Sequence, residues 1–83
     1  MLEPRVAMSR YELYGTGRCP YTREMRDWLE LRGLDFVEYD VEQDAAALVR
    51  MQSLSGGQRA VPVLVEQGRV VEVGWQGRTC LIG

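Results

Sequence analysis

Strand-like and helix-like segments alternate along this chain, and that order restricts the folds open to it. The segment RYELY (10–14) alternates in polarity and is rich in aromatic residues, as half-buried strands are. A helix is predicted from Pro20, because apolar residues then recur at the spacing of one helix face. That face consists of Tyr21, Met25, Trp28 and Leu29. Gly33 marks the predicted end of this helix.

The same alternation continues through the second half of the chain. FVEYD (36–40) predicts a strand, and Asp44 is suited to cap the N-terminus of the helix AAALVRMQSL (45–54). The inner face of that helix holds Leu48, Met51 and Leu54. AVPVLVE (60–66) and VVEV (70–73) then predict two strands that form a hairpin.

The remaining residues, GWQGRTCLIG (74–83), have room for one short helix, so the predicted order is β-α-β-α-β-β-α. Strands joined through a helix pair in parallel by right-handed crossovers, whereas hairpin strands pair antiparallel. This order predicts an α/β fold with a four-stranded mixed sheet and helices on both faces. We expect a single domain over 9–83, preceded by a loose extension at 1–8, with Met8 as an alternative start.

Composition excludes several classes of function. The chain has no histidine, which removes Cys-His and Ser-His catalysis and histidine metal sites, so we expect no metal. A net charge of −2 argues against nucleic-acid binding. No apolar run approaches the ~20 residues of a membrane span, and the first ten residues do not resemble a secretory signal. We therefore expect a cytoplasmic protein, in which an isolated cysteine is more often catalytic than structural.

Cys19 is the main candidate for chemistry, because it lies between a predicted strand and the first turn of a helix. Pro20 suits the first helical position, where a missing N–H has no partner to lose. The thiol of Cys19 then faces the free N–H groups and the positive dipole end of the helix, both of which favour the thiolate. Arg18 and Arg23 add positive charge nearby. We predict a reactive thiol with a lowered pKa; a small apolar filler is the alternative.

These residues resemble the glutaredoxins, which have the thioredoxin-like fold. The resemblance rests on LYGTGRCPYT (13–22), RAVPVLV (59–65) and VEVGW (71–75). It implies a thiol–disulfide oxidoreductase that uses glutathione as co-substrate and Cys19 as nucleophile. The glutathione-binding residues that it implies here include Tyr21, Val61, Pro62 and Gly74. By the same resemblance, Val61 pairs with the ligand backbone as an added strand, and Pro62 is the cis-proline facing the thiol.

Three further residues are expected at the same groove. Typical glutaredoxins carry a lysine three residues before the cysteine, where this chain has Thr16, and we expect Arg18 to supply the charge instead. Arg59 is either a clamp on the carboxylate of a glutathione-like ligand or a solvated surface charge. Glutaredoxins carry two adjacent glycines before the last helix, and this chain has Gly74 and Trp75 at those positions. Trp75 either lines the groove or covers the core.

A narrower resemblance is to the UXX-star (seleno)proteins, a glutaredoxin-like branch. In that branch the reactive position holds selenocysteine or cysteine, and the motif ends in threonine. The resemblance is carried by CPYTREMRDWLELRG (19–33), FVEYDVE (36–42) and VPVLVEQGRVVEVGWQGR (61–78). It implies that this chain is a cysteine-containing member.

Thr22 replaces the second cysteine of a C-x-x-C motif, and this leaves two mechanisms open. In a monothiol cycle, which we favour, Cys19 takes the adduct from a glutathione mixed disulfide and a second glutathione releases it. The Thr22 hydroxyl then donates to the sulfur of Cys19. In the alternative, Cys80 resolves the mixed disulfide, which requires the two Cα atoms to lie within ~7 Å. Otherwise Cys80 is a buried or fraying thiol.

Two other functions remain open from the sequence. An iron–sulfur cluster carrier, as a glutathione-bridged dimer, is compatible with Cys19 but disfavoured by Pro20, which stiffens the loop. A noncatalytic thioredoxin-fold module would bind its partner at the Val61–Pro62 edge. The expected partners are glutathione or a similar small thiol and glutathionylated protein thiols. We expect a monomer, with apolar surface near Trp75 and Leu81 available for a partner or a dimer.

Overall fold

A computed structural model describes residues 10–82, which form six strands and two helices. The strands are β1 (Tyr11–Gly15), β2 (Phe36–Asp40), β3 (Ala60–Val61), β4 (Val63–Glu66), β5 (Arg69–Val73) and β6 (Cys80–Leu81). The helices are α1 (Pro20–Leu31) and α2 (Ala45–Ser55). The predicted extension at 1–8 and the alternative start at Met8 lie outside the described residues.

Four of the strands form one sheet in the order β2-β1-β4-β5. The central strand β1 runs parallel to β2 and antiparallel to β4, with Leu13 opposite Leu64. Strand β5 completes the sheet as the antiparallel hairpin partner of β4. The predicted four-stranded mixed sheet is therefore confirmed.

Side chains alternate across this sheet, and each of its faces packs against a different helix. On one face Leu13 and Leu64 are buried with Met25 and Leu29 of α1. The other face packs against α2. Its buried residues Tyr14, Val63 and Val65 form one cluster with Ala47 and Met51 of α2. Cys19 belongs to this second cluster, which places the thiol site on the side of the sheet that α2 covers.

The helix ends follow the predicted signals. Helix α1 begins with Pro20 at its first position, and Gly33 follows it with a φ of 68°, in the left-handed region. In α2 the Asp44 carboxylate accepts a hydrogen bond from the Ala47 N–H at 3.1 Å, so the predicted cap is confirmed. Within residues 10–82, no helix combines the length and apolar character needed to cross a membrane.

The prediction of a short final helix is wrong. Gly74, Gln76 and Gly77 all have positive φ, a conformation that a right-handed helix does not contain. Trp75 and Arg78 instead close a tight turn, with hydrogen bonds in both directions between their backbones. The chain then enters β6, which pairs with β3 as a separate two-stranded sheet.

Three smaller expectations are also corrected. The predicted strand 60–66 is two strands, because Pro62 has no N–H for a ladder bond and the chain changes sheets there. Leu54 is exposed, and the inner positions of α2 are Ala47 and Met51. Trp28, on the apolar face of α1 that the sequence predicts to be buried, is 36% exposed.

Candidate active site

Cys19 occupies the N-cap position of α1, as the sequence predicts. Its N–H donates to the Thr16 carbonyl at 3.3 Å, and its own carbonyl accepts the Arg23 N–H at 3.3 Å. The loop before it is tied to β2, because the Gly17 N–H donates to an Asp40 carboxylate oxygen at 3.3 Å. Cys19 is only 1% exposed, so its sulfur is buried in the disulfide form.

The sulfur of Cys19 is bonded to the sulfur of Cys80. The two Cα atoms are 6.0 Å apart, inside the range that a disulfide requires, although the residues are 61 positions apart in sequence. Cys80 reaches this position because β6 pairs antiparallel with β3, where Cys80 lies opposite Val61. Both cysteines of the chain are therefore joined at the N-terminus of α1.

Pro62 directly follows Val61, and the bond between them is cis, as the resemblance implies. Gly74 holds this segment from the other side, since its N–H donates to the Pro62 carbonyl at 2.7 Å. Gly74 has a φ of 90°, and a Cβ atom added there would lie 2.8 Å from the Arg78 carbonyl oxygen. Only glycine therefore fits between the proline loop and the turn that leads to Cys80.

Thr22 lies one helical turn after Cys19 and is fully buried. Its side chain packs against Gly15, where an added Cβ atom would come within 3 Å of three Thr22 atoms. Among the described residues its hydroxyl oxygen has no hydrogen-bond partner. The predicted hydrogen bond to the Cys19 sulfur is therefore not formed in the disulfide form, and for the reduced form it stays a prediction.

Replacing Thr22 with valine tests the role of this hydroxyl in both the oxidised and the reduced protein. Because the substitution removes a buried polar group without a partner, we expect the oxidised protein to gain about 1 kcal/mol of unfolding free energy, measured by urea denaturation. If the hydroxyl donates to the thiolate after reduction, the same variant raises the pKa of Cys19 in a thiol titration. Thr79→Val, at an exposed threonine, is the control. A less stable oxidised Thr22→Val would contradict this account of the hydroxyl.

Of the other predicted groove residues, Tyr21, Arg59 and Arg18 have contacts of their own, and Trp75 lies on the opposite side of the sheet. Tyr21 is half-buried against the cluster that contains Cys19. The carbonyl of Arg59, just before β3, accepts the N–H of Ile82, just after β6, at 2.9 Å. Arg18 is turned toward Glu42 and forms a two-bond ion pair with it. That guanidinium holds the pKa of the Glu42 carboxyl below its usual range. The ligand contacts proposed for these residues stay predictions.

Trp75 lies on the opposite side of the sheet, in the cluster that α1 covers. Its ring meets that of Trp28 edge-on, with centroids 6.1 Å apart. The two indoles border a groove of about 470 Å³, which is also lined by Tyr11 and Leu64. This groove includes neither cysteine, so the structure does not bring Trp75 together with the disulfide.

Within residues 10–82, no group of three or more cysteine or acidic side chains is arranged to hold a metal ion. The disulfide, the cis-proline loop and the helix N-terminus are thus the chemical features that meet at one place. A disulfide at a helix N-terminus is suited to exchange with thiols, because a helix end stabilises a thiolate at its N-cap. The low pKa of the Cys19 thiol stays a prediction for the reduced form.

The family model for glutaredoxin matches residues 11–71, which is more than half of the chain. The chain belongs to the glutaredoxin family. Membership assigns this glutaredoxin thiol–disulfide oxidoreductase activity. The match ends in β5, so the turn at Trp75 and all of β6 lie beyond it.

Named relatives agree with this assignment. Mycoredoxin 1 of Corynebacterium glutamicum is 40% identical over 60 residues, covering 69% of this chain and 70% of that protein. An uncharacterized glutaredoxin-like 8.6 kDa protein in the rubredoxin operon of Clostridium pasteurianum is 32% identical over 60 residues, covering 72% of this chain and 79% of that protein. These names support the glutaredoxin family and do not single out the UXX-star branch.

Solved structures support the fold. The crystal structure of a variant of a thioredoxin-like protein superposes with a TM-score of 0.72 at 30% identity, covering 83% of this chain and 86% of that one. The glutaredoxin from Archaeoglobus fulgidus also gives a TM-score of 0.72, at 24% identity, covering 84% of this chain and 79% of that one. The predicted thioredoxin-like fold is confirmed.

Proposed function

We propose that this glutaredoxin reduces disulfides by a two-cysteine cycle, in which Cys19 is the nucleophile and Cys80 the resolving thiol. The observation that carries the proposal is the bond between these residues at the N-terminus of α1, beside the cis bond before Pro62. This cycle replaces the monothiol cycle that the motif C-P-Y-T favours. The product that a two-cysteine cycle requires is the bond present in the structure.

The first step is attack by the Cys19 thiolate on one sulfur of a substrate disulfide. A bond forms between Cys19 and that sulfur, and the other substrate sulfur leaves as a thiolate and takes a proton. The first turn of α1 supports this step, because its free N–H groups and dipole stabilise the thiolate of its N-cap residue. We therefore keep the prediction that the pKa of reduced Cys19 is low.

The second step is attack by the Cys80 thiolate on the sulfur of Cys19. The bond between Cys19 and the substrate breaks, the second substrate thiol leaves, and the Cys19–Cys80 bond forms. The chain loses two electrons and the substrate gains them. The separation of 6.0 Å between the two Cα atoms supports this step. The pairing of β6 with β3 is sufficient to bring Cys80 to this distance.

A small thiol restores the reduced form. Cys80 is more exposed than Cys19, so we propose that the incoming thiolate attacks Cys80 and expels Cys19 as the more stable thiolate. A second small thiol then frees Cys80 and leaves as the small disulfide. Glutathione and mycothiol are both candidates, the latter because a mycoredoxin is among the relatives. We place the cycle in the cytoplasm, where such thiols are kept reduced.

Counting the thiols used per chain tests the two-cysteine cycle. Fully reduced protein, mixed with excess aromatic disulfide reagent, should release two equivalents of the coloured thiolate rapidly and retain no adduct. The matched variant Cys80→Ser should release one equivalent and keep the adduct on Cys19. If the wild-type protein instead retains adducts, either on both cysteines with two equivalents released or on Cys19 alone with one, the monothiol cycle is correct and this proposal is wrong.

The other functions left open by the sequence gain less support. An iron–sulfur carrier uses Cys19 to bind a cluster between two chains, whereas in the described residues Cys19 is bonded within its own chain. A noncatalytic module at the Val61–Pro62 edge does not account for the bond between Cys19 and Cys80. Membership of the UXX-star branch and a monomeric state both stay predictions.

A further inference from the structure

Strand β6 occupies space beside the sulfur of Cys19. Any mixed disulfide with Cys19 puts a foreign cysteine within disulfide distance of its sulfur, and in the structure Cys80 is the residue found there. Cys19 is buried and fixed at the start of α1, so the direction of approach is restricted. An incoming segment can therefore bind with its backbone in the position that β6 occupies.

The backbone of β6 is held by strand pairing. Cys80 lies opposite Val61, Leu81 lies opposite Ala60, and the Ile82 N–H donates to the Arg59 carbonyl at 2.9 Å. Pairing of this kind recognises any extended segment through its main chain, while pockets for alternate side chains add specificity. The edge of β3 thus already pairs with one extended segment, that of β6.

Side chains alternate between solvent and core in β6 and the residue that follows it. Leu81 points away from the core and is 75% exposed, whereas Ile82 is only 7% exposed. Ile82 is buried in the same cluster as Cys19, and it lies beside Val41 and Leu48. The site therefore has an apolar socket for the second residue after the cysteine, and no constraint on the residue between them.

β6 is also short enough to be displaced. It contains two residues and pairs only with β3, while the larger sheet forms without it. Elements with so few contacts lie at the low-stability end of a protein's local opening reactions. Once the Cys19–Cys80 bond is reduced, no covalent link keeps β6 on β3.

We propose that β6 is an internal substitute for the substrate, and that the site binds a protein segment in extended form with the pattern cysteine, any residue, apolar residue. The proposal rests on the proposed two-cysteine cycle and names its substrate. The Cys19 thiolate attacks the cysteine sulfur of a segment whose thiol is disulfide-bonded to a small thiol, and the small thiol leaves. The segment, still bonded to Cys19, then unpairs from β3 and β6 returns to that edge. Cys80 attacks Cys19, and the segment leaves as a free thiol while the chain is oxidised.

Three synthetic peptides test this pattern on the full-length reduced protein. The first is Thr-Cys-Leu-Ile-Gly with its cysteine disulfide-bonded to glutathione; the second has asparagine in place of Ile, and the third has asparagine in place of Leu. We expect the second peptide to react about tenfold more slowly than the first, because it cannot fill the socket. The third should react within about twofold of the first, because that side chain faces solvent.

Two variants sharpen the test. With Ile82→Asn, β6 competes less well for the socket, so the first peptide should react severalfold faster than with wild-type protein; circular dichroism checks that this variant is folded. With Cys80→Ser, the intact mass of the trapped adduct on Cys19 should equal that of the peptide. An adduct with the mass of glutathione would show that the small thiol occupies the site and would overturn the proposal.

The proposal and the cycle on which it rests fail differently. Equal rates for the first two peptides, together with rapid reaction of Cys19, would remove the apolar socket as a substrate site and leave the two-cysteine cycle intact. No reaction of Cys19 with any of the three peptides or with a small disulfide would instead remove the cycle itself.

Discussion

Replacing Cys80 with serine is expected to slow the release of substrate thiol by about 100-fold. In wild-type protein the resolving sulfur is held beside Cys19 by the pairing of β6 with β3, so resolution is an intramolecular reaction. In Cys80→Ser only a free small thiol can attack the mixed disulfide, and its concentration is far below the effective concentration of a neighbouring group. The measurement is steady-state reduction of a mixed disulfide, with the amount of adduct followed in parallel.

Two controls define what this loss means. Cys19→Ser should remove activity entirely and form no adduct, because the nucleophile is absent. Leu31→Ser changes an exposed apolar residue at the end of α1, away from both cysteines, and should keep wild-type activity. Turnover of Cys80→Ser at the wild-type rate would mean that Cys80 takes no part in the cycle.

Reduction of the Cys19–Cys80 bond is expected to lower the melting temperature by roughly 20 °C. The bond spans 61 positions, and in the chain-entropy model a loop of that length stabilises the folded state by about 4 kcal/mol. In a domain of this size, 1 kcal/mol corresponds to about 4–8 °C. Calorimetry or circular dichroism of the same sample, with and without reductant, measures the difference.

The Cys80→Ser variant is the matched control for this effect. It cannot form the bond, so its melting temperature should be the same in both conditions and close to that of the reduced wild-type protein. A wild-type melting temperature that does not respond to reductant would mean that the bond is not formed in solution. A response shared by Cys80→Ser would point to a cause other than this bond.

The scaffold of this site is predictable from sequence because its signals are local. The periodicity of α1, the cap at Asp44 and the glycines after each helix each act within a few residues, and all are met in the structure. The position of Cys19 follows for the same reason, since Pro20 marks the first position of the helix. Local rules are thus sufficient to place the nucleophile.

The position of Cys80 depends on contacts that local rules do not describe. Its approach to Cys19 needs a turn with positive φ at Gly74 and Gly77, followed by pairing with a two-residue strand. A tail rich in glycine has no periodicity that would distinguish this path from a short helix. The glutaredoxin match ends at residue 71, before this turn and before β6.

Trp28 and Trp75 illustrate a second limit of the sequence. The period of α1 places Trp28 among its apolar positions, but the period does not say whether a neighbouring element covers it. Because the last segment forms β6 on the other side of the molecule instead of a helix, the two indoles cover one another at the rim of a groove. Their exposure therefore depends on the path of the last segment.

The most direct test of the central claim is the intact mass of reduced wild-type protein after addition of one equivalent of oxidised glutathione, sampled over time. The two-cysteine cycle predicts a transient glutathione adduct, followed by a stable species that lacks two hydrogens and in which peptide mapping joins Cys19 to Cys80. A stable adduct on Cys19 with Cys80 still free would contradict the cycle and restore the monothiol mechanism.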